Sequence, residues 1–458
     1  MSSYAPFMRP SRDRQRREGG SRYLLYSMTP ITELKTYEQA ISQCVRCGIC
    51  QAHCPVYNQT RKEGSVARGK LSLAKALLEG KLSLEMRLEE EVSLCLMCGS
   101  CVAKCPNKVP TDQIIGAMRR AITRDRGLSP GNRAISSVTG SPGLIKTLGK
   151  TIHALTPALF TRTPETSGLR LRWPLPGQKD RTFPEVAPQS LFARYPEYIQ
   201  GKNDKPVIGI FAGCSISYLY PEIGAAMIEL LTMLGYPVFF PHNQACCSLP
   251  AQSAGNGRLI RQLSEKNNAA FAREKVDSIV TACASCLSGL ESMASPVKGK
   301  AIDIIDFLDQ MGLPEHLQDI GESTPPLRLS YHDPCHHRNK GTTGQSARRF
   351  LKAMANVDFV EMDGASLCCG LGGTFSVHHY SLSQAIGRRK LAGIEKSRAE
   401  CIVTTCPGCI MQLRDVTAQA GLKVQVRHLL ELVHQLLKDN CSGLTRLPAI
   451  ANGRTKEL

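Results

Sequence analysis

The chain has 458 residues, 42% of them hydrophobic, and a formal net charge of +18 from 57 Lys and Arg against 39 Asp and Glu. This length and apolar content allow several domains, each with its own core. No apolar run reaches the roughly 18 residues needed to cross a bilayer, so any membrane contact is expected to be peripheral, at the inner face. The positive charge suits an anionic lipid surface or an acidic partner. Nucleic acid is not expected as a partner, because only 5% of the residues are aromatic and no binding motif is present.

The first 27 residues form a basic leader. Arginines cluster there with Pro and Gly and without apolar periodicity, which predicts disorder. The apolar stretch of a secretory signal is missing. Met28, just before Thr29-Pro30, is a candidate for the true start.

Twenty cysteines are present, and their number predicts a reducing compartment such as the cytoplasm. The first of two cysteine patterns, Cys-x2-Cys-x2-Cys-x3-Cys-Pro, occurs twice, at Cys44, Cys47, Cys50, Cys54 and at Cys95, Cys98, Cys101, Cys105. In two-cluster ferredoxins the fourth Cys of each such run ligates the other cluster. We therefore predict two [4Fe–4S] clusters, one on Cys44, Cys47, Cys50 and Cys105, and the other on Cys54, Cys95, Cys98 and Cys101. A zinc ribbon has no use for four cysteines per run, and a disulfide scaffold belongs to short secreted chains.

Apolar periodicity predicts helices around these two runs. One spans 65–80, with Ser65 as its cap and Gly80 at its end, and a second delivers Cys95. A third runs from Thr111 to Gly127 with its inward face at Ile114, Met118, Ala121 and Ile122. We expect an all-helical ferredoxin domain at 28–130, followed by a Pro-, Gly- and Arg-rich connector at 131–205, which Trp173 anchors.

The second cysteine pattern is an internal duplication. The spacing between corresponding cysteines is nearly constant, with Cys214 and Cys335 121 residues apart, Cys246 and Cys368 122 apart, and Cys283 and Cys406 123 apart. Apolar runs of strand length precede the cysteines in both copies. The pattern predicts two α/β units, at 206–325 and 326–440, with cysteines at the carboxyl ends of parallel strands. A tail at 441–458 follows.

The motif words of the two copies carry a family resemblance. FAGCSIS, ACCSLPA and TACASC, then HDPCHH, LCCGLGGTF and TTCPGC, resemble the cysteine-rich "CCG" domain of heterodisulfide reductases and of iron–sulfur subunits of glycolate, lactate and glycerol-3-phosphate dehydrogenases. The stretch CCGLGGTF…GRRKLAGI…TTCPGCIMQLRD is most similar to glycolate oxidase iron–sulfur subunits and their D-lactate relatives. The fold class implied is a helical two-cluster ferredoxin domain followed by two repeated α/β CCG domains.

The resemblance also implies further clusters. In heterodisulfide reductases a five-cysteine set of this kind holds a noncubane [4Fe–4S] cluster. One or two additional clusters are therefore expected on Cys214, Cys246, Cys247, Cys283 and Cys286 and on Cys335, Cys368, Cys369, Cys406 and Cys409. Ser248 stands where the family has Gly, and we expect it to alter the turn of the first copy.

The remaining candidates are assigned structural roles. Cys401 is expected in the core and Cys441 in the tail without a role. The histidines of HDPCHH and of the His pair are expected to be satisfied structural residues, namely His332, His336, His337, His378 and His379.

No G-x-G-x-x-G, P-loop or G-x-S-x-G motif is present, so no catalytic residue is expected in this chain. The resemblance implies an electron-transfer subunit of an oxidoreductase complex whose partner is an FAD-containing 2-hydroxyacid dehydrogenase, with quinone as the acceptor. The alternative is a heterodisulfide-reductase-like catalytic subunit that reduces a disulfide or quinone at a noncubane cluster.

Overall fold

The computed structural model describes residues 31–163, 168–173, 180–202, 204–293, 297, 299–317, 320, 326–339 and 344–439. The basic leader, Met28, Cys441 and the tail lie outside the described residues.

The N-terminal part is helical throughout its described residues. Its helices are α1 (Thr32–Lys35), α2 (Glu38–Ser42), α3 (Ile49–His53), α4 (Pro55–Thr60), α5 (Ala67–Leu78), α6 (Met86–Ser93), α7 (Ser100–Ala103) and α8 (Thr111–Arg126), with a 3₁₀ turn at Glu63–Ser65. Helix α8 ends at Gly127, whose φ of +81° closes it. The predicted inward face of α8 is buried: Ile114, Met118, Ala121 and Ile122.

Helix α5 begins later than the sequence predicts. Its N-cap is Val66, which makes no side-chain capping bond. Ser65 belongs to the preceding 3₁₀ turn, where its hydroxyl donates to the Lys62 carbonyl at 2.7 Å. The predicted capping role of Ser65 is therefore wrong, because a local turn uses its hydroxyl instead.

The segment after α8 contains two helices, α9 (Pro130–Gly140) and α10 (Pro142–Leu159), and a three-stranded antiparallel sheet of β1 (Phe160–Arg162), β2 (Leu169–Leu171) and β3 (Thr182–Phe183). The sheet has no counterpart among the sequence expectations. Trp173 is 71% exposed, so the expectation that it anchors this segment is wrong.

The first repeat is a five-stranded sheet with helices. Its strands are β4 (Tyr198–Ile199), β5 (Ile208–Ile210), β6 (Val238–Phe239), β7 (Ser278–Thr281) and β8 (Ala301–Asp303), in the order β4-β6-β5-β7-β8. Only β4 pairs antiparallel. The helices are α11 (Leu191–Arg194), α12 (Gly213–Tyr218), α13 (Pro221–Met233), α14 (Leu249–Ala254), α15 (Gly257–Phe271), α16 (Ala284–Glu291) and α17 (Ile304–Gln310), with a 3₁₀ turn at Pro314–His316.

The second repeat is a four-stranded parallel sheet with helices. Its strands β9 (Leu327–Tyr331), β10 (Val357–Phe359), β11 (Cys401–Thr404) and β12 (Gln425–His428) lie in the order β10-β9-β11-β12. The helices are α18 (Cys335–Asn339), α19 (Gly344–Ala353), α20 (Phe375–His378), α21 (Tyr380–Arg388), α22 (Leu391–Ser397), α23 (Pro407–Gln419) and α24 (Leu429–Asp439). The two repeats share one continuous apolar core, whereas the helical domain has its own.

None of the described helices is both long and apolar enough to span a membrane.

Candidate metal centre

The two cysteine runs of the helical domain contain the same kind of turn. Gly48 and Gly99, with φ of +87° and +75°, turn the chain into the short helices α3 and α7. Glycine adopts this left-handed conformation without steric cost. In each run, the turn places the first three cysteines around a cavity of that run. The first cavity is lined by Cys44, Cys47, Cys50 and Cys105, and also by Cys101.

The second cavity lies beside the first and is lined by Cys54, Cys95, Cys98 and Cys101. Cys105 of the second run thus lines the first cavity, and Cys54 of the first run lines the second. Burial raises the pKa of both Cys54 and Cys98 to about 12. Without a metal these thiols stay protonated, so a buried set of this kind suits a metal that displaces the protons.

Two buried cations lie beside the second cavity, and sequence patterns gave no signal for either. The Lys70 ammonium donates to the carbonyls of Gly64 and Glu91, both at 2.7 Å. The Arg119 guanidinium donates to the Cys95 carbonyl at 2.8 Å and to the Ser253 carbonyl at 3.1 Å. Their positive charges favour an anionic cysteine-bound group at this position.

In each repeat the cysteines gather at the carboxyl ends of the strands. Cys283 and Cys406 come two residues after the ends of the parallel strands β7 and β11. The Sγ atoms of Cys214 and Cys246 are 4.0 Å apart in the first repeat, and those of Cys369 and Cys409 are 3.6 Å apart in the second. Thiols of each repeat therefore converge, as four or five ligands of a cluster must.

The two cysteine groups face one cavity of about 340 Å³, which Cys98 of the helical domain also lines. The Cys406 thiol and the Ser285 hydroxyl, which belong to different repeats, are 3.5 Å apart. The cysteines that line the cavity are Cys98, Cys214, Cys247, Cys283, Cys286, Cys335, Cys368, Cys369, Cys406 and Cys409. Cys246 lines a small neighbouring cavity with Cys214.

The expectation that Ser248 alters the turn of the first copy is wrong. Ser248 has φ of +69°, and the corresponding Gly370 has φ of +98°. The serine therefore adopts the left-handed conformation itself, and α14 begins after it. Its hydroxyl accepts from the Gln252 side-chain amide at 3.0 Å.

Four of the five candidate histidines have partners. His337 contacts Thr405 and Asp303, both at 3.1 Å, and His378 contacts Asn132 at 2.8 Å. His379 lies 2.8 Å from the Ser93 hydroxyl and His336 lies 3.2 Å from that of Ser285.

His332 is different, and the expectation that it is a satisfied structural residue is wrong. It is 1% exposed, and neither ring nitrogen has a hydrogen-bond partner among the residues that the structure describes. Burial lowers the pKa of His332 well below its usual value, so the imidazole is neutral. A comparison of the two copies position by position could have shown this residue, because Phe211 stands 121 residues earlier in the first copy.

A small apolar cluster joins the helical domain to the second repeat. Val56, Leu96 and Cys98 pack there with Phe375 and Ile386, and around them lie Cys54, Cys335 and Cys368. The Asn339 amide of α18 donates to the Cys98 carbonyl at 2.8 Å. The second cavity of the helical domain therefore adjoins the second repeat.

Known families match these three parts of the chain. A 4Fe-4S dicluster domain matches residues 40–109, and a cysteine-rich domain, CCG, matches residues 208–291 and 329–414. The chain therefore contains a 4Fe-4S dicluster domain and two cysteine-rich CCG domains, and it carries more than one iron–sulfur cluster.

Curated relatives agree with this class. A probable glycolate oxidase iron-sulfur subunit from Bacillus subtilis is 27% identical over 86% of this chain and 94% of its own length. A glycolate oxidase iron-sulfur subunit from Escherichia coli is 26% identical over 88% of this chain and 95% of its own. Lactate utilization protein A from Geobacillus kaustophilus is 28% identical over 50% of this chain and 98% of its own. These relatives confirm the resemblance to glycolate and lactate iron–sulfur subunits and support a role in an oxidoreductase.

Proposed function

We propose that the chain is the electron-transfer subunit of a flavin-linked 2-hydroxyacid dehydrogenase that oxidises glycolate or lactate. It passes electrons from an FAD-containing partner subunit to the quinone pool. The observation that carries this proposal is the continuous series of cysteine sets from the surface of the helical domain to the cavity between the repeats. Iron–sulfur clusters supply one-electron carriers at such sets.

The ligand sets follow the cavities. In the helical domain Cys44, Cys47, Cys50 and Cys105 hold one [4Fe–4S] cluster, and Cys54, Cys95, Cys98 and Cys101 hold the other. Each repeat holds a further cluster on its five cysteines.

The first set is the one that a partner can reach. Cys47 is exposed, and the neighbouring Val45 and Ile49 are 68% and 42% exposed. The second set is more buried and lies against Leu96 and the cysteines of the second repeat. This order supports electron flow from a flavoprotein at the surface toward the interior.

The substrate's hydride chemistry is assigned to the partner, because the cysteine sets offer one-electron carriers and the chain has no dinucleotide-binding fingerprint. The net charge of +18 favours peripheral attachment of the complex to an anionic membrane surface, where quinone is available.

The test is to purify this chain anaerobically together with its flavoprotein partner. Glycolate or D-lactate should then chemically reduce the clusters, which electron paramagnetic resonance detects, and a soluble quinone analogue. With this chain alone, neither reduction should occur. Cys369→Ser should abolish quinone reduction while the signals of the helical domain stay intact. Cys247→Ser, the matched change in the first repeat, should have an equal or milder effect. Wild-type rates in both variants would contradict a pathway through the repeats.

A second candidate function is supported by the cavity of about 340 Å³ lined by cysteines of both repeats. A cavity of this size can enclose a small substrate. In this alternative the chain reduces a disulfide or quinone directly there, like a heterodisulfide reductase. Disulfide reduction by this chain alone with reduced viologen as the donor would favour the alternative, and its absence would favour electron transfer.

A further inference from the structure

His332 is an exception among the buried histidines of the second repeat. It is 1% exposed, and no described residue pairs with either ring nitrogen. His428 is equally buried, but its nitrogens lie 3.0 Å from the Ala282 carbonyl and 3.2 Å from the Leu430 N–H. An unpaired polar atom in the interior destabilises a fold, so the position of His332 calls for a partner that the chain does not supply.

The nearest candidates for that partner are groups that bind metals. A ring nitrogen of His332 and the Sγ atoms of Cys369 and Cys409 all lie within 4.8 Å of one another. Two donors on one metal ion, at about 2.1 Å for nitrogen and 2.3 Å for sulfur, lie at most about 4.4 Å apart. A small inward shift therefore brings all three atoms onto one metal.

The first repeat has no imidazole at the matching position. Phe211 occupies the matching position, since the Phe211 N–H donates to the Val280 carbonyl at 2.9 Å and the His332 N–H donates to the Val403 carbonyl at 2.8 Å. The Phe211 ring packs against Phe271 in the core. The same backbone position therefore carries an apolar ring in one repeat and an unpaired imidazole in the other.

We propose that His332 is a nitrogen ligand of the iron–sulfur centre in the second repeat, together with cysteines of its five-membered set. This inference rests on the proposed cluster in that repeat. The five cysteines of the second repeat and His332 are six donors, more than the four ligands that a zinc ion takes. The two repeats then differ in chemistry, because the first has only sulfur ligands. An imidazole ligand is neutral and a thiolate is negative, so the second centre accepts an electron more readily than the first.

The test uses the full-length protein, purified anaerobically with ¹⁵N-labelled histidine. Pulsed electron paramagnetic resonance of the wild type should show the nitrogen coupling of a coordinated imidazole, and the coupling should change with the isotope. His332→Phe, which copies the first repeat, should lose the coupling. His332→Cys should keep a cluster, and its midpoint potential should be lower than that of the wild type. His336→Phe is the matched control, because His336 lines the same cavity and its loss should leave the coupling unchanged.

The outcomes separate this inference from the proposed cluster. Iron clearly above the about eight atoms per chain of the dicluster domain that falls in Cys369→Ser, without imidazole coupling in the wild type, would show that the second-repeat cluster exists and His332 is no ligand. Iron that stays at about eight atoms per chain, or zinc in the second repeat, would show that the proposed cluster itself is wrong.

Discussion

Ser248 and Gly370 occupy the same turn in the two repeats, and each has a left-handed backbone. This conformation destabilises a residue with a Cβ by about 1–2 kcal/mol, so the backbone is slightly strained at the serine and unstrained at the glycine. The hydrogen bond between the Ser248 hydroxyl and Gln252 offsets part of this free-energy cost. At Gly370 an added Cβ would lie 2.4 Å from the Ser383 carbonyl oxygen, so that turn has no room for a side chain.

The two turns should therefore respond differently to exchange. Ser248→Gly removes the strain and one hydrogen bond and should change the free energy of unfolding by less than about 1 kcal/mol. Gly370→Ser adds the left-handed cost and a backbone clash and should destabilise by about 2–5 kcal/mol. Anaerobic thermal unfolding of both variants would measure this, and equal melting temperatures would contradict the difference.

Lys390 is a fully buried cation next to the cysteine loop of the second repeat. Its ammonium donates to the carbonyls of Gly364, Ala365 and Leu367 at 2.6, 3.1 and 3.2 Å. Burial lowers the pKa of Lys390 to about 8. In the first repeat Asn267, 123 residues earlier, holds the loop instead, because its amide donates to the Cys246 carbonyl at 3.1 Å.

Lys390→Met should destabilise the second repeat by about 2–5 kcal/mol, because it leaves three carbonyls without their donor. The melting temperature and the iron content measure the effect, and both should be lower than in the wild type. Lys396→Met is the control: its side chain is 76% exposed and pairs with exposed Asp363, so the change should stay within about 0.5 kcal/mol. A similar loss in both variants would refute a special role for Lys390.

Among the elements, α3 and α7 are short helices that carry cysteines of the expected clusters. They have five and four residues, far below the length at which a helix is stable alone. Cys50 lies in α3 and Cys101 in α7, so a bound metal would fix both helices.

Cys50→Ala and Cys101→Ala should each remove one cluster and lower the melting temperature of the helical domain, because the missing ligand removes metal-coupled folding energy. Iron and labile sulfide analysis checks the loss of about four irons per chain. Cys401→Ala is the control, since Cys401 is a buried core residue of β11 and iron content should not change. Stoichiometric zinc without sulfide would overturn the expected cofactor.

The sequence predicts elements well where the pattern is local. Helix α8 contains its predicted apolar stripe, although burial extends beyond that face to Ile115, Ala117 and Arg119. The sheet of β1–β3 escapes prediction because its strands have only two or three residues, too few to show an alternating pattern. Residues 198–199, expected within the connector, form β4 in the sheet of the first repeat, and this two-residue strand escapes prediction for the same reason.

At the scale of the whole molecule, cysteine spacing predicts which thiols line each cavity, because ligand spacing reflects the geometry of the cluster. Spacing carries no information on how the three parts meet. The junction depends on Leu96 and Gly372, and the loop of the second repeat approaches Leu96 so closely that a Cβ on Gly372 would lie 2.3 Å from the leucine Cδ2. For His332 the sequence offers one signal, the Phe211 at the matching position of the first repeat, but it does not show that the ring nitrogens pair with no described residue.

The junction also makes the sharpest prediction about electron flow. Gly372 has φ of +58°, and its added Cβ would lie 3.2 Å from the Leu96 Cα as well as against the side chain. Gly372→Ala should therefore push the second repeat away from the helical domain without removing a ligand. Electron transfer between the two should slow while iron content stays constant, and stability should fall by about 2–5 kcal/mol.

Gly421→Ala is the matched control for this variant, because Gly421 has φ of +70° and nothing within 4 Å of its added Cβ. Gly421→Ala should lower stability by only the about 1–2 kcal/mol that the left-handed backbone costs, without a clash. It should transfer electrons at the wild-type rate. Freeze-quench electron paramagnetic resonance after rapid reduction compares the decay of the helical-domain signals in the two variants. Unchanged decay in Gly372→Ala would mean that electrons do not cross at Leu96, and the pathway from the helical domain into the second repeat would have to be abandoned.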